Sequence, residues 1–446
     1  MGRLKCCYVA CILALFLLIN ISAISSSSSR NLFTTPGDKK AVRVEMRRIS
    51  EGEISFNERL KSAVVRSKSR LQKIDAIVKA ATNKTYETPL HVGDGEYLID
   101  LAVGTPSVSF EAIVDTGSDL IWTQCMPCHD CYKQATPIFD PSKSSTFSAV
   151  PCNAPLCRAL GFQQSGCNPD CSYAYQYSDG SFTNGGLALE TLTIGSGSKV
   201  PKIAFGCGHD NKGATLIQGG GIVGLGRGPV SLISQMGTQV ENKFSYCLLP
   251  ISDSPSKTSP LYFGHSASLT GAKSVTLIKN PLIQTFWYIP LTGITVNGSA
   301  VDIVPGTFDL KADGSGGIVI DSGSTVTSLN DAAYIPLKKA VEAAIDMSPV
   351  NGSSTGLDLC YEMPSGPGQL MGLPSFAFNF KGGADYEVGA ENLFIEIDGL
   401  WCLAFLGSSG DISISILGNI QQQNIHILYD NGHNTLSFKP TDCSSL

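Results

Sequence analysis

The chain carries the same short pattern twice, once in each half. Residues 112–118 read Ala-Ile-Val-Asp-Thr-Gly-Ser, and residues 318–324 read Ile-Val-Ile-Asp-Ser-Gly-Ser. Each copy is followed further along the chain by an apolar–apolar–glycine triplet, at 222–224 and at 416–418. Such a repeat predicts two lobes of similar structure, each with one aspartate on a tight turn, and a site between them.

The two repeated aspartates, Asp115 and Asp321, are suited to acid–base chemistry. Gly117 and Gly323 allow the turn that brings backbone N–H groups near each carboxylate. If the two halves are related by a pseudo-twofold axis, the carboxylates meet there, and like charges that close share one proton. The ionised member can then take a proton from water while the protonated one donates to a carbonyl oxygen, which hydrolyses an amide without a metal. The neighbouring hydroxyls can donate to the carboxylates or fix the partner loop: Thr116, Ser118, Ser322 and Ser324.

The sequence after Glu96 predicts an all-β fold with a few short helices. Short apolar and β-branched runs alternate with turn residues, for example at 97–103, 110–114, 317–320, 376–380 and 425–429. The clearest helix of this region spans 331–345, with Asn330 as its N-cap. With 43% hydrophobic and only 16% charged residues, the chain of 446 residues is neither disordered nor a coiled coil.

These motifs resemble the pepsin-family aspartic endopeptidases, and among them the plant nepenthesin-like, atypical apoplastic group. The resemblance extends over about residues 90–443. It implies a bilobal double β-barrel whose cleft holds Asp115 and Asp321 as a catalytic dyad, active at acidic pH without a cofactor. One mild departure is Ser324, where many members of the family carry threonine.

The same resemblance assigns further site residues. Residues 177–181 resemble the β-hairpin flap that covers the substrate, with Tyr177 as its tyrosine, and Trp122 lies where the family's tryptophan hydrogen-bonds that tyrosine. Ser118 matches the serine that is bonded to the first aspartate, and the two triplets match the strands that support each catalytic loop. The flap residues implied are Tyr177, Asp179, Gly180 and Ser181.

Cysteine usage predicts an oxidising compartment. Of the 15 cysteines, those after residue 11 form an even set, which predicts six disulfides in an exported protein. The C-x-x-C-x-x-C run from Cys125 to Cys131 could instead bind zinc or an iron–sulfur cluster, although no histidine pair with ligand spacing accompanies it. Sequence alone does not select a connectivity.

The family resemblance implies both the cysteine-rich insertion, at 125–171, and a disulfide pairing. The pairs that it implies are Cys125–Cys128, Cys131–Cys207, Cys152–Cys171, Cys157–Cys167, Cys247–Cys443 and Cys360–Cys402.

The N-terminal region differs from the rest in charge. Residues 1–23 read as a signal peptide, because Arg3 and Lys5 precede an apolar run at 9–21 that is shorter than the roughly 20 residues of a membrane span. Residues 24–88 then carry a net charge of +7, whereas residues 89–446 carry −15. We expect residues 24–88 to be a removable prosegment that inhibits its own enzyme, the alternative being an N-terminal helical domain.

Two observations support the prosegment interpretation. Apolar residues recur at the spacing of one helix face: Ile49, Ile54, Phe56, Leu60, Val64, Leu71, Ile74 and Val78. Basic side chains could pair with carboxylates of the body until acid protonates these: Arg43, Arg47, Arg48, Arg59 and Lys61.

The predicted organisation is a first lobe at 89–265, a junction at 266–284 and a second lobe at 285–446. Sequons at Asn83, Asn297 and Asn351 fit surface glycosylation. A net charge of −6 leaves no electrostatic footprint for nucleic acid. We expect a monomer with protein or peptide substrates and no membrane anchor once the signal is removed, secreted to the apoplast or delivered to a vacuole.

A second class of function shares this fold. Plant xylanase-inhibitor-like proteins have the same cysteine plan but a degraded catalytic set, and they bind other proteins instead of cutting them. Here Asp115, Asp321, Tyr177 and Trp122 are all present, which favours the enzyme.

Overall fold

The computed structural model describes residues 41–48, 55–83, 96–177, 180–195, 197–213, 219–251, 257–363, 372–408 and 412–446. The predicted signal peptide, Ile49, Ile54 and Asp179 lie outside the described residues, as do the side chains of Arg48 and Asn83. In the described part of the chain, no helix is both long enough and apolar enough to cross a membrane.

Strands dominate the fold. Those before the predicted junction are β1 (Ala41–Arg48), β2 (Tyr97–Val103), β3 (Val108–Asp115), β4 (Trp122–Gln124), β5 (Ser148–Ala149), β6 (Gln164–Cys167), β7 (Cys171–Gln176), β8 (Phe182–Ile194), β9 (Ser198–Lys212), β10 (Gly221–Gly224), β11 (Lys243–Cys247) and β12 (Thr258–Gly264). Those after it are β13 (Lys273–Thr276), β14 (Tyr288–Ile289), β15 (Leu291–Val296), β16 (Ser299–Ala300), β17 (Ile318–Ile320), β18 (Thr327–Asn330), β19 (Cys360–Glu362), β20 (Phe376–Phe380), β21 (Ala384–Val388), β22 (Phe394–Ile397), β23 (Leu400–Leu403), β24 (Phe405–Ser408), β25 (Ser415–Leu417), β26 (Ile425–Asp430) and β27 (Thr435–Pro440).

The α-helices are few among the described residues, as the all-β prediction requires. They are α1 (Phe56–Asn83), α2 (Pro155–Ala159), α3 (Leu232–Met236) and α4 (Asp331–Ala344). The prediction of α4 and its cap is confirmed, since the Asn330 side chain accepts a hydrogen bond from the N–H of Ala333. Most of the apolar strand residues join one large core that runs through both halves of the chain.

The sequence repeat corresponds to a structural repeat. Strand β3 ends in Asp115, and β10 lies parallel to it with Gly224 opposite Asp115. In the second half, β17 leads into Asp321, and β25 lies parallel to it with Leu417 opposite Ile320. Each predicted triplet therefore packs as a strand beside the strand that presents an aspartate.

The basic segment, residues 24–88, contributes both a strand and a helix. Strand β1 pairs antiparallel with β12 on one side and with β2 on the other, inside a fifteen-stranded sheet. Its alternate residues Val42, Val44 and Met46 are buried in the main core. The segment predicted to be removable thus fills a position in the middle of the largest sheet.

Helix α1 confirms the helical periodicity of the basic segment. A capping box begins it, in which the Glu58 N–H donates to Ser55 Oγ at 3.3 Å and the Ser55 N–H donates to Glu58 Oε2 at 3.0 Å. The residues of the predicted apolar face that are buried are Leu60, Val64, Leu71, Ile74 and Val78. Phe56, at the first position of the helix, is 41% exposed and does not belong to that face.

Two predicted disulfides are confirmed, Cys247–Cys443 and Cys360–Cys402. The other four predicted pairs, Cys125–Cys128, Cys131–Cys207, Cys152–Cys171 and Cys157–Cys167, are wrong. The structure instead contains Cys125–Cys207, Cys128–Cys131, Cys152–Cys167 and Cys157–Cys171.

The cause lies in sheet register and burial. Strand β4 runs parallel to β9 with Thr123 opposite Cys207, so Cys125, two residues after Thr123, lies 5.3 Å from Cys207 between Cα atoms. Cys128 and Cys131 are left on the adjoining loop and pair with each other. Among the remaining four, the two buried cysteines, Cys157 and Cys171, bond to each other, and the two more accessible ones do the same.

We expect disulfide mapping to give this pattern. After non-reducing digestion between the cysteines, a peptide containing Cys125 should remain joined to one containing Cys207, because β4 and β9 are neighbours in the sheet. Mass spectrometry before and after reduction measures this. Recovery of Cys131 joined to Cys207 would contradict the register of β4 against β9.

Candidate active site

Asp115 and Asp321 meet at one point, as the repeat predicts. The two carboxylates are almost completely buried, at 1% and 0% exposure, and the guanidinium of Arg70 bonds to both. Arg70 Nη2 donates to Asp115 Oδ1 and also to Asp321 Oδ1 at 3.0 Å, while Arg70 Nε donates to Asp321 Oδ2. A single guanidinium can do this only if the carboxylates share one site.

The two aspartate loops hold their carboxylates in the same way. The N–H of Gly117 donates to Asp115 Oδ1 and the N–H of Gly323 donates to Asp321 Oδ1, each at 3.0 Å. The second oxygen of each carboxylate accepts a hydroxyl, from Ser118 in the first loop and from Ser324, at 2.8 Å, in the second. Serine at 324 therefore makes the bond that its position in the repeat requires.

Thr116 and Ser322 tie the two loops together. The N–H of Thr116 donates to Ser322 Oγ at 3.1 Å, and the N–H of Ser322 donates to Thr116 Oγ1 at 2.8 Å. Ser322 Oγ then donates to the carbonyl of Val114 at 3.1 Å. The exchange is reciprocal, so it fixes the position of one aspartate relative to the other.

Two further polar residues support the second loop, and sequence analysis missed both. Gln422 Nε2 donates to the carbonyl of Asp321 at 3.2 Å, and Asn419 Nδ2 donates to the carbonyl of Ser322 at 2.9 Å. Their position in the sequence could have indicated this role, because both come shortly after the second triplet. Strand β25, which contains part of that triplet, lies beside the strand that leads into Asp321.

Strands β7 and β8 form a β-hairpin where the flap is predicted. The N–H of Tyr177 donates to the carbonyl of Ser181 at 2.7 Å, and Gly180, at a φ of 82°, closes the turn. The Tyr177 hydroxyl accepts a hydrogen bond from Trp122 Nε1 at 2.6 Å, which is the contact that the family resemblance implies. Burial raises the pKa of Tyr177 well above its ordinary value, so the phenol stays neutral.

Burial and like charge act on the aspartate pair. Desolvation raises the pKa of Asp321 above its ordinary value; the Arg70 guanidinium opposes this rise, and the Asp115 carboxylate adds to it. Burial also disfavours the charge on Arg70, but the two carboxylates outweigh it and raise the pKa of Arg70. Arg70 consequently carries its charge at every pH at which the protein is folded.

Helix α1 contacts the site through the side chain of Ser67 as well as through Arg70. Ser67 Oγ, one turn before Arg70, accepts hydrogen bonds from the N–H groups of Thr325 and Val326, both at 3.1 Å. These two residues follow directly on the second aspartate loop. The helix therefore satisfies two buried N–H donors beside the second aspartate loop.

Apolar residues of α1 pack on either side of the aspartates. Leu60 and Val64 join one cluster, which includes Val326 of the body. The later residues of the same face, from Leu71 to Val78, join another, which includes Phe286. Helix α1 thus lies along the site in both directions from Arg70.

Ion pairs add to this contact, and they differ in part from the predicted ones. Of the predicted basic residues, Arg47 pairs with Glu111 and Lys61 with Asp398. Arg43 pairs with Glu45 of its own strand, which is not the predicted partner, and Arg59 shows no ion pair in the described part of the chain. The side chain of Arg48 is not described.

Two arginines that sequence analysis did not single out make the most buried ion pairs among the described residues of the segment. Arg66 Nε lies 2.9 Å from Glu96 Oε1, with both side chains at 6% exposure or less. Arg70 is the other. Both lie on α1 at the spacing that places them on one helix face.

The zinc alternative finds no support in the described residues. No group of three or more His, Cys, Asp or Glu side chains there could hold a metal ion, and all three cysteines of the C-x-x-C-x-x-C run are in disulfides. Of the sequons, Asn297 and Asn351 are exposed.

Comparisons with known proteins agree with this geometry. A family model described as Xylanase inhibitor N-terminal matches residues 97–265, and one described as Xylanase inhibitor C-terminal matches 286–440. The chain is 42% identical to aspartic proteinase nepenthesin-2 of Nepenthes gracilis, over 97% of this chain and 98% of the relative. It is 45% identical to aspartic proteinase nepenthesin-1 of the same plant, over 86% of each. The crystal structure of soybean Basic 7S globulin matches the fold, with a TM-score of 0.64 and 16% identity over 91% of this chain and 98% of that one.

The reciprocal bond between Thr116 and Ser322 can be tested by a double-mutant cycle. Thr116→Val and Ser322→Ala should each lower the free energy of unfolding by about 1–2 kcal/mol, because each leaves a buried donor unpaired. The double variant should cost clearly less than the sum, because loss of either bond lets the two loops move apart and already weakens the other bond. Urea titration measures these differences.

Thr295→Val is the matched control, because its hydroxyl bonds to Asn379 Oδ1 at 2.7 Å, away from the aspartate loops. Combined with Ser322→Ala it should be additive. Additivity of Thr116→Val with Ser322→Ala would mean that the two loops are not coupled.

Proposed function

Because the chain belongs to the plant aspartic endopeptidases related to nepenthesin, we propose that Asp115 and Asp321 are its catalytic dyad and that it is made as an inactive zymogen whose mature form works at acidic pH. The observation that carries this proposal is the single guanidinium of Arg70, which bonds to both buried carboxylates. This contact supports the view that the two aspartates share one site. It also supports the view that the N-terminal segment of the same chain blocks that site.

In the proposed mechanism the two carboxylates share one proton and bind a water molecule between them. The ionised member takes a proton from this water as its oxygen attacks the carbonyl carbon of the peptide bond. The protonated member donates to the carbonyl oxygen, and a proton then passes to the departing amine. Gly117, Gly323 and the two loop serines hold the carboxylates in place, while the Tyr177 hairpin closes over the peptide and excludes water.

Inhibition by the prosegment follows from what α1 covers. While Arg70 bonds to both carboxylates, neither can hold a water or a proton for catalysis. Acid weakens this contact, because protonation of carboxylates removes the partner charges while Arg70 stays charged. Desolvation raises the pKa of Asp321, so it takes up its proton at a higher pH than an ordinary aspartate.

The compartment is part of the same proposal. Six disulfides join all twelve cysteines of the described residues, which suits an oxidising compartment. Exposed sequons at Asn297 and Asn351 suit passage through the secretory route. We propose a secreted monomer that cleaves proteins and peptides in the apoplast or a vacuole.

The family models are described by xylanase inhibition, which supports one second candidate, an inactive binding protein. The intact geometry of both aspartate loops favours the enzyme. Acid treatment of the precursor, followed by assay on a denatured protein and on a xylanase, separates the two. Inhibition of the xylanase without proteolysis would favour the binding protein.

Removing either carboxylate charge should abolish proteolysis. We expect Asp115→Asn and Asp321→Asn each to lower kcat by at least about a thousandfold, because a neutral amide can neither accept the proton of water nor share one. Thermal unfolding should show that both variants remain folded. Cleavage of a quenched peptide at pH 3–5 measures the rates.

The matched control is Asp313→Asn, at an exposed loop position of the second half, which should leave the rate unchanged. A chelator should also leave the wild-type rate unchanged. Near-normal turnover by either dyad variant would contradict the assignment of the dyad.

The role of Arg70 predicts the pH at which the precursor converts. Arg70→Gln removes the charge that holds both carboxylates, so the precursor should convert about tenfold faster at pH 5 and begin to convert at a higher pH. Conversion is followed by gel electrophoresis against pH.

Arg59→Gln is the control, because Arg59 lies on the same helix and shows no ion pair in the described residues. It should convert as the wild type does. An Arg70→Gln precursor with the wild-type pH profile would show that this arginine does not restrain the enzyme.

A further inference from the structure

Asp119 is a buried carboxylate close to the dyad that the mechanism above does not use. It lies four residues after Asp115, in the same loop, and is 8% exposed. No salt bridge to a cation reaches it in the described part of the chain. A buried carboxylate without a cation is costly, so its contacts need an explanation.

Both oxygens of Asp119 accept hydrogen bonds. Oδ1 accepts the N–H of Gly228 at 2.9 Å, and Oδ2 accepts the hydroxyl of Thr285 at 2.7 Å. A Cβ at Gly226 or at Gly228 would collide with this carboxylate, so the glycines of the turn after β10 make room for it. The turn is therefore shaped around Asp119.

The turn after β10 is in turn bonded to the first aspartate loop. The N–H of Leu225 donates to the carbonyl of Asp115 at 2.7 Å, and the N–H of Gly226 donates to the carbonyl of Ser118 at 2.8 Å. On its other side, the N–H of Arg227 donates to the carbonyl of Thr285 at 2.8 Å. The turn thus lies between the first loop and Thr285.

Thr285 leads directly to the second aspartate. Two residues later, the carbonyl of Trp287 accepts the N–H of Ile320 at 3.0 Å, and β14 then pairs with β17, with Tyr288 opposite Val319. Ile320 is the residue before Asp321. A path of hydrogen bonds therefore leads from the first catalytic loop through Asp119 to Thr285. The backbone from Thr285 to Trp287 continues it to the strand that presents Asp321.

We propose that Asp119 is a positioning residue, which fastens the first catalytic loop to Thr285 and so sets where Asp115 lies relative to Asp321. The inference rests on the proposed function of the dyad. It adds a side-chain connection between the two catalytic loops that is separate from the bonds between Thr116 and Ser322.

The proposal has a pH signature. Burial raises the pKa of Asp119 to about 6, the bonds from Thr285 and Gly228 oppose this rise, and the Asp115 carboxylate adds to it. Among the described residues, the Tyr175 phenol on β7 also faces it, and its oxygen lies 3.4 Å from the Asp119 backbone nitrogen.

The raised pKa of Asp119 decides how its contribution to stability changes with pH. The folded protein binds this proton more tightly than the unfolded chain, in which the carboxyl titrates at its ordinary value near 4. The stability contributed by Asp119 is therefore complete below about pH 4 and is lost as the pH rises through about 6. Asparagine mimics the protonated carboxyl, because its oxygen can accept from Gly228 and its amide can donate to Thr285.

The test compares Asp119→Ala, Asp119→Asn and Thr285→Val with wild type, each produced as the full-length precursor and activated by acid. Active sites are counted by titration with pepstatin, so that misfolded protein does not enter kcat. We expect Asp119→Ala and Thr285→Val to lower kcat at pH 4 about tenfold with little change in KM, since a small displacement of the dyad is enough. Asp119→Asn should restore most of this activity.

One further measurement and one control variant distinguish positioning from a general loss of stability. The fall in Tm between pH 4 and pH 7 should be smaller in Asp119→Asn by a few degrees, because the titrating group is gone. Thr295→Val, whose hydroxyl bonds to Asn379, controls for the loss of a threonine hydroxyl and should keep the wild-type kcat.

A wild-type kcat per active site in Asp119→Ala or Thr285→Val, or an Asp119→Asn variant as impaired as Asp119→Ala, would overturn the proposal. If the wild type showed no proteolysis, the proposed function would fail, and a double-mutant cycle of stability would still decide whether Asp119 and Thr285 are coupled. Additive costs in that cycle would refute the link, and non-additive costs would support it.

Discussion

The meeting of two buried carboxylates under one guanidinium is the interaction on which the rest of the structure depends. Two like charges out of water repel each other and lose hydration, so they persist only where other groups compensate them. Arg70 supplies the charge, and four donors from the loops supply hydrogen bonds. The surrounding elements can be understood as what is needed to bring these groups to one point and to keep them there.

The repeat solves this problem by using one arrangement twice. A strand brings each aspartate to the centre, a parallel strand supports it, and a glycine turn directs N–H groups at the carboxylate. The two arrangements then have to be held in register with each other. Thr116 and Ser322 do so directly, and Asp119, in our proposal, does so through Thr285 and the strand that precedes Asp321.

Much of this could be predicted from the sequence, because its determinants are local. Strand β2, helix α4 with its Asn330 cap, and the pairing of Asp115 with Asp321 follow from patterns within a few residues of each element. The misassigned disulfides depend on the register of β4 against β9, which brings together residues far apart in the chain. Arg70 looked like one basic residue among many, since only the docking of α1 decides which of them reaches the dyad. Asp119 was missed because its partners come from two distant turns.

The two parts of the basic segment, β1 and α1, differ in how far their contacts depend on ion pairs. Helix α1 depends on its buried apolar face and also on the ion pairs of Arg70, of Arg66 with Glu96 and of Lys61 with Asp398, and these pairs lose their attraction once the carboxylates are protonated. Strand β1 depends on backbone hydrogen bonds to β2 and β12 and on the burial of Val42, Val44 and Met46, none of which titrates. Acid therefore weakens the ion-pair part of the helix's contacts and leaves most of the strand's contacts intact. In the proposed zymogen, movement of the helix alone would uncover the two aspartates while the largest sheet stays continuous.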